Sequence, residues 1–439
     1  MSDAATAVGE GETERVCVVG LGYVGLPLAL AFAEEGVSVI GFDVDESKVG
    51  ALRGGRDPTG HASDDELARS DAAFTADPAG IATADYVVVA VPTPVDDGND
   101  PNLDYVEAAG ETVGEHMTPG TTVVLESTVY PGATEEVLVP ALEGASGLSA
   151  GEEFHVGYAP ERAAPGETGR GVRDVTRVVS ADTDAVRDDL AALYGRVVDA
   201  GTYRAPSIRT AEAAKVIENV QRDVNIALAN EFAVVCDHLG LRTQDVLDAA
   251  ASKWNFHDEY RPGLVGGHCI PVDPLYLVHR SEHEGFSPKL VLQAREVNEY
   301  MPKHTAEVTL KGLNRCGKVL RESRVLVLGL AYKANVGDIR TSEVHGVLNE
   351  LREYGVDVVG YDPHVDPDEA RDAFDVPLAD EPTLDDYDAV VVTTGHDAFE
   401  ELEPSDFARG LDDDSLVVDV PGLFERDAVE ATGVHYAEL

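Results

Sequence analysis

Arg15-Val16-Cys17-Val18-Val19-Gly20-Leu21-Gly22-Tyr23-Val24-Gly25 is the stretch that decides the fold of this chain. A short β-branched run feeds a turn of three glycines, and the residues that follow, from Leu26 to about position 35, carry helical spacing. The next strand-like run, Val37-Ser38-Val39-Ile40-Gly41-Phe42, ends at Asp43, 18 residues beyond Gly25. Strand, glycine turn, helix and acid in this order form the context of a dinucleotide fingerprint. Gly20 permits the tight turn, Gly22 the approach of a pyrophosphate, and Gly25 close helix packing, with the helix N-terminus facing the anion. Asp43 is expected to accept bonds from an adenosine ribose and to repel a 2′-phosphate, so NAD is the expected cofactor rather than NADP. Tyr23, Val24 and Lys48 complete the turn's expected cofactor-binding set. An ordinary glycine-rich turn would explain the glycines but not the acid.

Working outward, strand-like runs at residues 86–91 and 121–126 alternate with helical stretches, which predicts a parallel sheet with right-handed crossovers. From about residue 211 to 238 the pattern becomes one long helix, and more helix is expected near 244–252 and 289–313. A second α/β unit opens at Arg324-Val325-Leu326-Val327-Leu328-Gly329-Leu330. It continues through Asp357-Val358-Val359-Gly360-Tyr361-Asp362, Ala389-Val390-Val391-Val392 and Leu416-Val417-Val418-Asp419. The fold class is therefore α/β: two Rossmann-like parallel-sheet domains, at 15–205 and 316–439, joined by an all-helical domain at 206–315. Residues 1–14 read as a disordered acidic tail. No convincing sequence repeat relates the two halves.

Composition narrows the function. The net charge is −49, only 33 residues are Lys or Arg, and eight of those are lysine. A uniformly anionic surface repels phosphate, so nucleic-acid binding is excluded. The 44% hydrophobic content argues against disorder and for a folded protein with a carboxylate-rich surface, as in a salt-loving cytoplasm. No apolar run approaches the length of a membrane span and the start is acidic, so neither membrane insertion nor a signal peptide is expected. Cysteines 17, 236, 269 and 316 lack metal-ligand spacing. Reduced thiols, a cytoplasmic location and no metal site follow.

The second informative stretch is Val265-Gly266-Gly267-His268-Cys269-Ile270-Pro271-Val272-Asp273. It sets a thiol behind two glycines and a carboxylate four residues on, a setting for a nucleophile more than for a buried small hydrophobe. A hydride acceptor and a nucleophilic thiol in one chain suggest an oxidation that passes through a thioester. Thr93 and Thr128 follow predicted strands of the first sheet, where ligands bind, although loop threonines are often only turn residues. Glu161 and Arg162, with Pro165-Gly166 beyond them, read by themselves as a solvated acid–base loop. Glu212, Lys215, Asn219 and Arg222 share one face of the long helix. Such a face is usually the wet side, but an ammonium beside an amide can stabilise an oxyanion. Tyr332, Lys333, Asp338 and Arg340 follow the first strand of the second unit. Two cations there suit a pyrophosphate or uridine diphosphate, and a surface salt-bridge loop is the other reading.

Together these motifs resemble the UDP-sugar 6-dehydrogenase family, from about residue 15 to the C-terminus. The most specific segments are Glu212-Ala213-Ala214-Lys215-Val216-Ile217-Glu218-Asn219 and Arg261-Pro262-Gly263-Leu264-Val265-Gly266-Gly267-His268-Cys269. The second is similar to the branch acting on UDP-N-acetylhexosamines, UDP-N-acetylglucosamine above all. The UDP-glucose branch carries Ser and Lys where this chain has His268 and Val272. The UDP-N-acetylmannosamine branch carries His-Pro-Arg where it has Ala251-Ser252-Lys253. The resemblance implies that Cys269 is the nucleophile, that Lys215 and Asn219 stabilise the oxyanion, and that Asp273 assists proton transfer or the hydrolytic water. Thr128 and Glu161 would line the same water and cofactor region. Arg162, Arg222, Lys333 and Arg340 would hold phosphates and sugar, some across a dimer, with Gly266 and Tyr332 in the same substrate set. It further implies a UDP-sugar as partner, a homodimer or dimer of dimers through the helical domain, and a product used in surface polysaccharide or glycoprotein glycan synthesis. Asp419-Val420-Pro421-Gly422 lacks the Arg-Asn usual after that aspartate. UDP-N-acetylmannosamine and UDP-glucose remain alternative substrates. More remote readings are a single-step β-hydroxyacid dehydrogenase and an NAD-binding sensor.

Overall fold

A computed structural model of the chain describes residues 14–60, 62–96, 98–163 and 170–439. The expected acidic tail, apart from Glu14, and the Pro165-Gly166 part of the acid–base loop lie outside those residues. Those described fall into two compact units, residues 14–218 with Leu275–Gly285, and Asn219–Pro274 with Phe286–Leu439.

In the first unit the β-branched runs become one eight-stranded sheet in the order β3-β2-β1-β4-β5-β6-β7-β8. The strands are β1 (Arg15–Val19), β2 (Ser38–Phe42), β3 (Ala73–Thr75), β4 (Tyr86–Val89), β5 (Thr122–Leu125), β6 (His155–Tyr158), β7 (Arg177–Ala181) and β8 (Thr202–Arg204). Only the β6–β7 pairing is antiparallel. Strands β3 to β6 follow the dinucleotide-fold order 3-2-1-4-5-6, with the switch point between β1 and β4. The expected run at 86–91 stops at Val89, three residues before the first of the prolines at 92 and 94. Val87, Val88, Val89, Val123, Val124 and Leu125 have no exposed surface, as parallel strands covered on both faces require. Register pairs Val19 with Val89, Val89 with Leu125, and Leu125 with Tyr158. The loops leaving β1, β4, β5 and β6 therefore start side by side at one carboxyl edge.

The second unit contains a five-stranded, wholly parallel sheet in the order β10-β9-β11-β12-β13. Its strands are β9 (Arg324–Leu328), β10 (Asp357–Tyr361), β11 (Ala389–Val392), β12 (Leu416–Asp419) and β13 (His435–Glu438). This is the other doubly wound order, 2-1-3-4-5. The helix Val344–Glu353 buries Val344, Val347, Leu348 and Leu351, the i, i+3, i+4, i+7 stripe of a core-facing helix. It meets the helix Lys289–Arg315 closely: a Cβ at Gly346 would lie 2.7 Å from Pro302.

Residues 206–315 form helices and loops without a strand, as expected, and include the 32-residue helix Ile208–Leu239. A buried ion pair of 2.7 Å joins Asp223 on that helix to Arg295 on Lys289–Arg315, and Asn298 donates to the same carboxylate at 2.8 Å. Among the described residues no helix is long and apolar enough to cross a membrane.

Candidate active site

At the edge where β1 ends, Gly20 adopts φ +93°, and a Cβ there would lie 2.5 Å from the Ala90 carbonyl. Gly25 opens the helix Gly25–Glu34, and a Cβ on it would lie 1.9 Å from the Gly20 carbonyl. Both glycines are thus required by the protein itself. Gly22 is different: a Cβ would meet nothing within 4 Å, so the open space at Gly22 suits a ligand that approaches the backbone. The helix has no side-chain cap and no acid in its first turn, which leaves its N-terminal dipole available to an anion.

Asp43, 7% exposed, closes the turn from β2. Its carboxylate accepts the Leu21 amide at 2.8 Å, the Asp45 amide at 2.9 Å and Lys48 Nζ at 2.7 Å. Burial opposes its charge, but the Lys48 bond and the two amides outweigh that and hold the carboxyl below its ordinary range. Three donors on about four acceptor positions leave about one for a ribose hydroxyl. The residues present therefore fit a bound NAD at the pyrophosphate and at the ribose.

Thr93 and Thr128 stand on the neighbouring loops, after β4 and β5. The Thr93 carbonyl accepts the Tyr276 hydroxyl at 2.9 Å, and Ser127 Oγ donates to the Val91 carbonyl at 2.7 Å, tying the two strand ends together. Glu161, after β6, is not half of a solvated pair with Arg162. Its Oε2 meets Arg177 Nη2 at 2.7 Å, and its Oε1 accepts the amides of Arg162 and Ala163, each at 2.5 Å. Burial opposes its ionisation, yet Arg177 and these amides hold the carboxyl low. Arg162, expected on a phosphate or sugar, pairs with Glu218 at 2.8 Å and donates to the Thr176 carbonyl at 2.6 Å.

Residues of the long helix range from buried to exposed. Glu212 is fully buried and accepts bonds from Gly132 N at 2.6 Å and from Thr134 N and Oγ1 at 2.9 and 2.6 Å, so it anchors the loop after β5 and is no part of a wet face. Lys215 is 8% exposed, and Arg222 is exposed. Asn219 donates from Nδ2 to Asp273 Oδ2 at 2.5 Å, which joins two of the expected catalytic residues in the second unit. Asp273 is also tied to the thiol residue, its amide donating to the Cys269 carbonyl at 2.8 Å as the helix Asp273–His283 begins.

Cys269 carries a half-buried thiol that is in no disulfide. The glycines before it are explained by the loop that follows β9. A Cβ at Gly266 would lie 2.6 Å from the Thr341 carbonyl, and one at Gly267 (φ +97°) 2.9 Å from the Tyr332 ring. The Gly267 amide donates to Thr341 Oγ1 at 3.0 Å. His268 acquires a partner: its Nε2 lies 3.0 Å from Asp338 Oδ2, with Tyr332 edge-on at 6.1 Å. Arg340 lies on the same carboxylate at 2.6 Å while remaining 64% exposed, and Lys333 is half-buried in this loop. Burial opposes the charge of Asp338, but His268 and Arg340 keep its carboxyl far below the usual range. Burial raises the Tyr332 phenol, and the negative charge of Asp338 adds to the rise. Asp419 is fully buried and accepts the Gly422 and Phe424 amides at 3.0 and 2.8 Å and the Tyr436 hydroxyl at 2.8 Å, so the atypical segment after β12 is folded around its own aspartate.

Sequence reading missed Arg177, Glu126 and Tyr194. Arg177, 1% exposed, lies between Glu161 and Glu126, and the Tyr194 hydroxyl donates to Glu126 at 2.7 Å. Burial pushes the Glu126 carboxyl up, against the pull of Arg177, and the charge of Glu161 adds to the push. A glutamate directly after the apolar run Val123-Val124-Leu125 was the available signal.

A doubly wound NAD-type domain, together with a second nucleotide-type sheet beside a glycine-flanked thiol, defines a dinucleotide-dependent dehydrogenase. Comparison with known proteins narrows the class. The sequence matches the UDP-glucose/GDP-mannose dehydrogenase family in its NAD binding domain (residues 14–198), its central domain (209–300) and its UDP binding domain (326–426). The chain belongs to this family, and it is an NAD-dependent nucleotide-sugar dehydrogenase. It is 43% identical over 418 residues to protein CapL of Staphylococcus aureus, covering 95% of this chain and 98% of that one. It is 40% identical over 405 residues to the UDP-N-acetyl-D-glucosamine 6-dehydrogenase of Salmonella typhi, covering 92% and 95%. Its fold superposes on the UDP-N-acetyl-D-mannosamine dehydrogenase of Pyrococcus horikoshii with a TM-score of 0.85 at 29% identity, covering 97% and 98%.

Proposed function

We propose that this chain oxidises the C6 hydroxyl of a UDP-N-acetylhexosamine, UDP-N-acetylglucosamine in the first place, to the carboxylate. NAD, held by Gly20, Gly22, Gly25, Asp43 and Lys48, supplies the hydride acceptor for each of the two oxidations. The Cys269 thiol adds to the C6 aldehyde left by the first oxidation, because an aldehyde has no hydride to give until a nucleophile has added to it. Lys215 and Asn219 stabilise the oxyanion of that adduct. The second oxidation leaves a thioester on Cys269, and water, activated by Asp273, releases the uronate and the free thiol. Thr128 and Glu161 orient water or hydroxyl at the carboxyl edge of the first sheet. Glu161, kept ionised, accepts rather than donates. Residues 15–205, 206–315 and 316–439 are assigned to NAD, to the helical domain with the nucleophile, and to UDP.

The observation that carries this reading is the short Asn219–Asp273 bond on the same turn that begins at Cys269. The Salmonella typhi relative supports N-acetylglucosamine. The Pyrococcus horikoshii likeness makes UDP-N-acetylmannosamine the second reading. An NADH-release screen over UDP-N-acetylglucosamine, -galactosamine, -mannosamine and UDP-glucose in molar salt is expected to favour the first and to yield two NADH per sugar. Activity on UDP-glucose alone would overturn the branch. Cys269→Ser is expected to abolish uronate formation, and near wild-type turnover would remove the thiol from the mechanism.

The reading extends to a cytoplasmic homodimer. The helix Ile208–Leu239 exposes Leu228 (51%), Phe232 (38%), Val235 (47%) and Leu239 (67%) along one stripe, the kind of surface that a second copy covers. Sedimentation velocity in molar salt is expected to give at least twice the chain mass, and a monomer would refute it.

A further inference from the structure

We propose that Arg177 and Glu126 form a buried positioning pair that sets the two candidate catalytic side chains of the first unit, Thr128 and Glu161; this rests on the roles given to those two residues above. The guanidinium is attached to β7, yet its bonds run to the ends of two other strands. Nη1 reaches the Glu126 carboxylate just after β5, and the carbonyls of Ala159 and Pro160 just after β6, at 3.3 and 3.0 Å. Nη2 reaches Glu161 Oε2 at 2.7 Å. Thr128 lies two residues beyond Glu126, on the strand end that Ser127 already ties to the loop after β4. One rigid fork therefore fixes the spacing between the two loops that carry Thr128 and Glu161.

Chemistry argues that this charge is kept for geometry. Burying an arginine between two carboxylates in a sheet core is costly, and well-packed apolar side chains often stabilise such a site as well or better. What apolar side chains cannot supply is a planar array of donors aimed at four acceptors on two loops. Tyr194, whose hydroxyl donates to Glu126, stands 5.4 Å below the guanidinium, so the fork cannot swing. With one oxygen on Arg177 and the other closed by two backbone amides, the Glu161 carboxylate has a single orientation. Among the described residues, the charged and titratable groups around it are Arg177 from β7, Glu126 from the end of β5 and, behind both, Tyr194 from the helix Asp184–Tyr194.

The test compares Arg177→Met with the double variant Arg177→Met/Glu126→Gln, on whichever UDP-sugar the wild type oxidises. The single variant leaves Glu126 buried without its counter-ion and is expected to lower the melting temperature strongly. The double variant removes that charge and is expected to recover folding. If Arg177 positions Glu161, the double variant still loses about 100-fold in kcat, the scale of a misplaced catalytic group, with KM for NAD unchanged. Its acidic limb of kcat also moves to higher pH, because Glu161 has lost the cation that held its carboxyl low. A double variant that recovers both melting temperature and kcat would show Arg177 to be only the counter-ion of Glu126 and would overturn the inference. Failure of the substrate reading shows separately, as a wild type that forms NADH from UDP-glucose but from no UDP-N-acetylhexosamine.

Discussion

In the first unit Gly20 leaves β1 with φ +93°, its amide donating to the Phe42 carbonyl at 2.8 Å; in the second Gly329 leaves β9 with φ +89°, its amide donating to the Tyr361 carbonyl at 2.8 Å. The next amide, Leu21 or Leu330, donates to Asp43 or Asp362 at 2.8 or 2.7 Å. In each neighbouring strand a glycine, Gly41 or Gly360, makes room for that leucine, where a Cβ would approach it to 2.9 or 3.1 Å. The halves do share a short repeat, Gly-Leu followed by Gly-aromatic-Asp, which the sequence alone did not reveal because its parts are separated by 19 residues in the first unit and by 29 unrelated ones in the second. Beyond that device they diverge. Gly22 faces open space and a helix starts at Gly25, whereas Ala331 is fully buried and the next helix starts only at Val344. Asp43 is capped by a lysine that keeps 23% exposure, while Asp362 and its partner His396 are sealed at 1% and 0%. The Asn335 amide donates to His396 Nδ1 at 2.9 Å, so the ring's proton sits on Nε2 and points at Asp362. One turn is built to receive a dinucleotide. The other is closed, and the loop it releases is left to dock the thiol segment through Thr341, Tyr332 and Asp338.

The largest break in the comparison is expected from Asp362→Asn. Its carboxylate accepts the amides of Leu330, Ala331 and His364 and the imidazole, and a carboxamide would turn donors toward donors. Loss of about 3 kcal/mol is expected, the upper end for leaving buried donors without their acceptor, with KM for NAD unchanged. Asp43→Asn, beside a partly exposed lysine, is expected to cost about 1.5 kcal/mol and to raise KM for NAD. Denaturant titration and initial rates read both variants. Equal destabilisation with equal cofactor effects would mean that the two turns do the same job.

Gly22→Ala sharpens the contrast at a smaller scale. The added methyl meets no protein atom, so stability is expected to stay within about 0.5 kcal/mol. The methyl occupies the ligand's approach, and a roughly tenfold weaker NAD affinity, about 1.4 kcal/mol, is expected. Fluorescence titration with NADH measures it. Unchanged affinity would move the pyrophosphate elsewhere.

What was legible in the sequence was local or dictated by backbone geometry. The Gly20 to Asp43 unit spans two strands and one helix, and each residue type is forced by a turn, a close approach or a dipole. The thiol turn was legible for the same reason, although the glycines there answer to Thr341 and Tyr332 of a loop some 70 residues on. What escaped were long-range electrostatic partners. Glu212 shared a helix face with Lys215 and read as polar surface, yet its partners Gly132 and Thr134 are 80 and 78 residues away. Arg177 carried no signal of its own, because its partner Glu126 lies 51 residues back. His268 read as a marker of the substrate branch, but its partner Asp338, 70 residues on, was not legible. Periodicity reports which side of an element is apolar, but not which buried charge meets which.

The smallest expected effect concerns acid. Burial opposes the charge of both turn aspartates, but Asp43 is held low by Lys48 and amides, and Asp362 by His396 and amides. A carboxyl whose folded pKa lies below its unfolded value, about 3.9, adds stability that is fully present above that value. That stability is lost as pH falls through the folded value. Melting temperature followed from pH 6 downward should therefore fall less steeply in either Asp→Asn variant than in the wild type, by the proton each no longer takes up on unfolding in acid. Both variants start lower and converge on the wild type in acid, Asp362→Asn from the greater distance because its carboxylate and its histidine partner are sealed, whereas Asp43 is paired with a partly exposed lysine. If the two curves were superimposable, the sealed turn would be no more dependent on its charge than the open one.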